Sequence, residues 1–196
     1  MLLAKEFVAY LGRQMAARLP ANMIEVADRS AVGEVFVGVI TDEMMVEDKL
    51  NDEVRTILEE YSVYMANNAI SYSEMFRRIK NQLVQQRKIV KASGRDTGDP
   101  MKLSRDKVNE ISHKLLLALK KSHDCRIRRD ENDLRLEIVR IMSDLLLIED
   151  RAEKAARAKI RTLKREVLDG TEEWDLLHKR YYAEELRNLG IDLGGN

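Results

Sequence analysis

Apolar positions recur at helical spacing along most of this chain. From Leu134 onward, Ile138, Ile141, Leu145, Ile148, Ala152 and Ala155 step by four and three, the seam of a long helix in a hairpin or coiled coil. The stripe then slips to Ala156, Ile160, Leu163 and Val167. Gly170 supplies a C-terminal stop, and Thr171 starts the next helix. That helix carries Trp174, Leu177 and Tyr181 on one side and runs to Gly190. Upstream, Val108, Ile111, Leu115 and Leu119 mark a shorter helix, with Ser104 as its N-cap.

The front of the chain keeps step with the back. Shifted by 102, residues 35–89 fall on 137–191 without a gap, so that Val37 meets Val139, Asp42 meets Asp144 and Tyr72 meets Trp174. Near the start the shift is 100, and Leu3, Val8, Leu11, Met15 and Leu19 meet Leu103, Val108, Ile111, Leu115 and Leu119. Ser71 and Glu74 have the spacing of a capping box. Residues 32–40 are rich in β-branched side chains and glycine, which alone suggests a strand. Their partners, 134–142, carry a clean helical stripe, so the segment is read as helix.

The expected fold is therefore all-α: two tandem helical domains, each of about three helices with a long second helix, related by a pseudo-twofold. The boundaries are 1–90 for the first domain, 91–100 for a linker, 101–191 for the second domain and 192–196 for a C-terminal tail. The linker's glycines, serine, proline and mixed charge predict an exposed segment.

Composition agrees with this reading. Two prolines and nine glycines are too little punctuation for a many-turned β protein. The 34 basic and 34 acidic side chains cancel, so no global field draws the chain to nucleic acid or anionic lipid. Cys125 is the single cysteine and has no partner for an internal disulfide. Residues 1–19 are broken by Lys5, Glu6, Arg13 and Arg18, unlike a signal peptide, and no apolar stretch has membrane length. A soluble cytoplasmic protein without a membrane partner is expected.

Candidate chemistry is sparse. His113, His123 and His178 are scattered, so no metal site and no cofactor are expected. Ser122-His123-Asp124-Cys125 gathers reactive types in a polar turn, where sequence neighbours seldom face one another. Gly33 and Gly38 have the gap of a phosphate loop, but Val39 and Ile40 follow where Lys and Ser or Thr belong. No catalytic residue is singled out, and a non-enzyme is expected.

The strongest patch is basic. Lys154, Arg157, Arg161 and Arg165 form one helical stripe with Lys164 beside it, diluted by Glu149, Asp150, Glu153 and Glu166. It reads as solvated surface, as a contact between the two halves, or as a grip on phosphates. The matching positions Asp52, Arg55, Glu59 and Val63 lean acidic, which favours the second use over the third. Tyr181 and Tyr182 point about 100° apart on a helix, so they cannot sit equally deep. Tyr182 with Lys179 and Arg180 is the candidate edge of a partner-binding face. The expected role is a non-enzymatic interaction or scaffolding protein that binds another protein or itself. Nucleic-acid binding through the basic stripe is the alternative.

Residues 159–187 resemble a bacterial family known only as domain of unknown function 507. Gly170, the Glu173-Trp174-Asp175 run and the stretch from Lys179 through Tyr181 and Tyr182 to Leu186 carry the resemblance. Met101-Lys102-Leu103-Ser104 looks like that family's opening. The first half looks like a second branch of it, with Ser71-Tyr72, Met75-Phe76 and Ile79-Lys80 in place of the tryptophan helix. The resemblance covers nearly the whole chain outside the linker. It implies relatives, but no activity and no site residue.

Overall fold

The computed structural model describes residues 2–94, 101–163, 167–168 and 170–191. In chain order these form α1 (Lys5–Arg18), β1 (Ile24–Val26), α2 (Arg29–Glu60), α3 (Ser62–Asn67) and α4 (Tyr72–Gln86). There follow α5 (Arg105–Lys121), β2 (Cys125–Ile127), α6 (Glu131–Arg161) and α7 (Glu172–Asn188). The fold is mainly all-α, as the stripes imply.

Short polar side chains start the helices. The Asp28 carboxylate accepts from the backbone N–H of Ser30 and Ala31 at 2.8 and 3.1 Å, opening α2. Asp130 does the same for α6 with Asn132 and Asp133, at 2.8 and 3.2 Å. Ser71, Ser104 and Thr171 cap α4, α5 and α7 as their spacing predicts. Residues 32–40 lie within α2. Their glycine serves packing: α1 crosses so close that a Cβ on Gly12 would stand 2.6 Å from Val37 Cγ2, and one on Gly33 would stand 3.3 Å from Arg13 Cα.

One feature was not expected. β1 and β2 pair antiparallel, with Ile24 opposite Ile127 and Val26 opposite Cys125. The segment read as a polar turn thus leads into a strand, and the Asp124 carbonyl accepts from Ala27 N–H at 2.8 Å. The described start of the segment between the halves, residues 91–94, is also more tied down than an exposed linker. Ala92 is buried, its N–H donates to Glu47 Oε1 at 2.7 Å, and Ser93 bridges to Leu103. Residues 95–100 and the tail 192–196 lie outside the described residues.

The main core unites both halves. Phe7, Leu11 and Met15 of α1 join Phe36 and Ile40 of α2, Ile111 and Leu115 of α5, and Ile138 and Leu145 of α6. Beyond it the long helices continue into two smaller cores. Ala152, Ala156, Tyr182 and Leu186 pack between α6 and α7, while Val54, Leu58 and Met65 pack under α4.

Four charges lie at the crossing of α2 and α5. Lys107 is 1% exposed and Glu43 6%. Lys107 Nζ donates to Glu43 Oε2 and Glu110 Oε2, both at 2.8 Å. Lys114 Nζ reaches Glu43 Oε1 at 2.6 Å and Glu110 Oε1 at 3.1 Å. Burial pulls the Glu43 carboxyl upward, but its bonds to Lys107 and Lys114 outweigh that and hold it below the ordinary carboxylate range.

Lys107→Ala strips one partner from this buried set and lowers stability by about 3–5 kcal/mol in urea melts. Glu43→Leu combined with Lys107→Met leaves Glu110 and Lys114 to each other and recovers most of the loss. Because the folded pKa of Glu43 is depressed, its stabilisation is complete above the unfolded carboxylate value. It fades as pH falls through the folded one. The double variant lacks that share of the acid slope, which melts between neutral pH and pH about 3 measure.

Candidate interaction surfaces

Part of the predicted basic stripe lies along α6, where Lys154 and Arg157 are engaged by acids. Lys154 Nζ lies 2.6 Å from Asp150 Oδ2, one turn back. Arg157 Nε donates to Glu153 Oε1 at 2.8 Å, and its guanidinium sits 5.0 Å from the Trp174 ring centre. Arg161 is exposed, as are Lys179 and Arg180 on α7. Lys164 and Arg165 lie outside the described residues.

Tyr182 corrects the expected surface. It is buried, while Tyr181 is half-buried. The deepest row of α7 is Trp174, His178, Tyr182 and Leu186, at steps of four, with Tyr181 and Leu177 of the expected side partly buried beside it. The His178 ring stacks between Trp174 and Tyr182, with centroids 4.7 and 5.9 Å away.

That row covers two buried glutamates of α6. Glu149 Oε1 accepts from Lys102 Nζ at 2.9 Å and from the Tyr182 hydroxyl at 3.0 Å. Its other oxygen, Oε2, is buried with no hydrogen-bond partner among the described residues. His178 Nε2 lies 3.0 Å from Glu153 Oε2. Burial, then the charge of Glu149 and the bond to it, push the Tyr182 phenol far above its ordinary range. Burial pulls Glu153 upward, but Arg157, Lys102 and His178 outweigh it, so its carboxyl titrates low. Both effects follow from an ion network packed as core. Cys125 is likewise no activated nucleophile: burial first, then Asp124, raise its thiol. Among the described residues no group of three or more His, Cys, Asp and Glu is arranged to hold a metal ion.

A different surface stands open. α4 spans 15 residues and none of them is buried. Met75, Phe76, Ile79 and Leu83 rest only partly on the small core beneath. Beside them Tyr61, Val63, Tyr64 and Tyr72 are exposed, at 47, 69, 52 and 54%. Between α2 and α4 runs a groove of about 360 Å³, floored by Ile57, Tyr61, Met75, Ile79 and Leu83 and edged by Arg78 and Gln82. Arg87 clamps the far end of α4 to α2 through a two-pronged bond to Glu53, at 2.6 and 2.7 Å. The apolar spacing of α4 was visible in the sequence, but nothing there said that its face would lack cover.

The chain belongs to the family described as protein of unknown function DUF507, whose model matches residues 1–191. No curated protein matches it. Among the described residues no helix is long and apolar enough to cross a membrane.

If the α6–α7 network is core, its members differ sharply from the exposed pairs beside it. Tyr182→Phe withdraws a donor from buried Glu149 and costs about 1–3 kcal/mol in urea melts. Lys154→Ala breaks only an exposed one-turn pair and shifts stability by no more than about 0.5 kcal/mol. Equal effects would contradict this assignment.

Proposed function

We propose that the chain is a duplicated helical unit working as a non-enzymatic interaction or scaffolding protein, with the α2–α4 face as its docking surface. The observation that carries the docking role is α4 itself, a 15-residue helix with no buried residue beside four exposed Tyr and Val side chains. Contiguous apolar patches of this kind mark binding sites more often than bare surface, and tyrosine anchors such contacts.

Support for duplication comes from equivalent positions doing equivalent work. Asp28 and Asp130, 102 apart, cap the long helices. Val8 and Val108, Leu11 and Ile111, and Met15 and Leu115, each 100 apart, are all buried. The order helix, short strand, long helix occurs in both halves.

Nucleic-acid binding through α6 draws less support. Lys154 and Arg157 are held by Asp150 and Glu153, and Lys159 by Glu184 at 3.2 Å, so the stripe projects little net positive charge.

Pull-down with the purified chain from native lysate recovers a protein partner or the chain itself. Tyr64→Ser with Tyr72→Ser abolishes recovery while leaving the helical circular-dichroism signal intact. A gel shift at low salt shows no nucleic-acid complex, with or without Arg157→Glu and Arg161→Glu. Retention that ignores the tyrosines, or a shift that those arginine changes remove, overturns the assignment.

A further inference from the structure

Resting on the α2–α4 face as a docking surface, we propose that its occupant is a second copy of this chain, joined by a twofold axis that lays α2 of each copy against α4 of the other. Charge carries the choice. Residues 47–60, the outer half of α2, hold six carboxylates against two cations. Residues 72–88, which contain α4, hold five cations against one carboxylate; with the internal Arg87–Glu53 pair set aside, α2 still holds five acids against two cations and α4 four cations against one acid. A twofold contact repeats every pairing, so an acidic α2 meets a basic α4 twice.

The groove residues fit this arrangement. Glu60 follows Ile57 by three residues and so shares its side of α2, the wall of the groove. It makes no ion pair with any described residue. Across the groove, Arg78 is held among the described residues by Glu74 alone, at 3.3 Å, with both side chains more than half exposed. Between these charged rims lies the aromatic tip, where Tyr61 meets Tyr64 edge to face and Tyr72 stacks on Phe76. Two such tips brought together bury rigid rings at small entropic cost, flanked by complementary charge. The four helices then form a bundle whose apolar seam is shared by both copies.

The other arm explains why only this one is open. α7 buries Tyr182 and Leu186, because Tyr10 of α1 and Lys102 close over it. Nothing among the described residues covers α4 in the same way.

Sedimentation equilibrium of the full chain from about 1 μM to about 500 μM spans weak specific association. The expected result is a monomer–dimer equilibrium that weakens as salt screens the rims. Glu60→Lys and Arg78→Glu each weaken the dimer about tenfold. An equimolar mixture of the two variants regains it, since the reversed α2 of one copy meets the reversed α4 of the other. Circular dichroism confirms that each variant stays helical. A wild-type chain that remains monomeric, an open series of growing species, or a mixture no tighter than either variant overturns the pairing. If the chain is monomeric but a lysate protein is lost with Tyr64→Ser and Tyr72→Ser, self-pairing falls and the docking surface stands. If neither is seen, both fall.

Discussion

The structure depends on a mismatch of length. α2 has 32 residues and α6 has 31, so each is more than about 45 Å long. α1 and α5, with 14 and 17 residues, can lie along only part of them. The main core follows α2 as far as Met44 and α6 as far as Leu146. Past those points each long helix still carries an apolar stripe, at Val54 and Leu58 in one and Ala152 and Ala156 in the other. Water cannot satisfy those stripes, and α4 and α7 turn back to cover them. Two outlying hairpins are thus a consequence of long helices around a short core.

What holds the centre is partly ionic, and its position is informative. In the register of the proposed repeat, Lys107 stands where the first half has Phe7, and Glu43 where the second has Leu145. Phe7 and Leu145 are both fully buried in the main core. One crossing therefore keeps an apolar pair of positions where the other keeps a buried salt bridge. A hydrophobic pair of similar volume is commonly as stable as a buried ion pair. The ions instead distinguish partners: α1 set against Glu43 would present Phe7 to an unpaired buried carboxylate.

Most of the helices and the Ser71, Ser104 and Thr171 starts were legible because the signals are local, whereas α6 ends at Arg161, short of the stop read at Gly170. Ser104, Thr171 and the stripe of α6 say the same thing within a few turns of chain. What sequence reasoning missed is non-local. β1 and β2 have three residues each, too few to show a period, and they pair across about a hundred positions of chain. Nothing in the sequence singles out Lys107 as buried; only the fold brings Glu43 of α2 to it. Tyr182 reads as an edge residue until α1 and Lys102 close over α7. Gly33 stands out only for strand-like composition and a phosphate-loop gap, and Gly12 not at all, although their missing side chains are what let α1 approach α2. The groove was the least legible part, since a stripe on α4 records what could be buried and not what arrives to bury it.

The register of the proposed repeat would also link the buried ions to the open groove. Tyr10 packs against the small core between α6 and α7 and helps to close that arm. Its counterpart 100 residues on is Glu110, which accepts from Lys107 and Lys114 at the α2–α5 crossing. A carboxylate committed to two lysines cannot also serve as an apolar lid. The counterpart of Lys102, which secures Glu149, is Leu2, which carries no charge to offer a carboxylate on α2. In the register of the proposed repeat, then, the first arm has neither a tyrosine like Tyr10 nor a lysine like Lys102 to seal it. If the halves are copies, the carboxylate that completes the ion network at the centre is the same position that would otherwise carry a lid for α4, and the proposed docking face is tied to the way the core is held together.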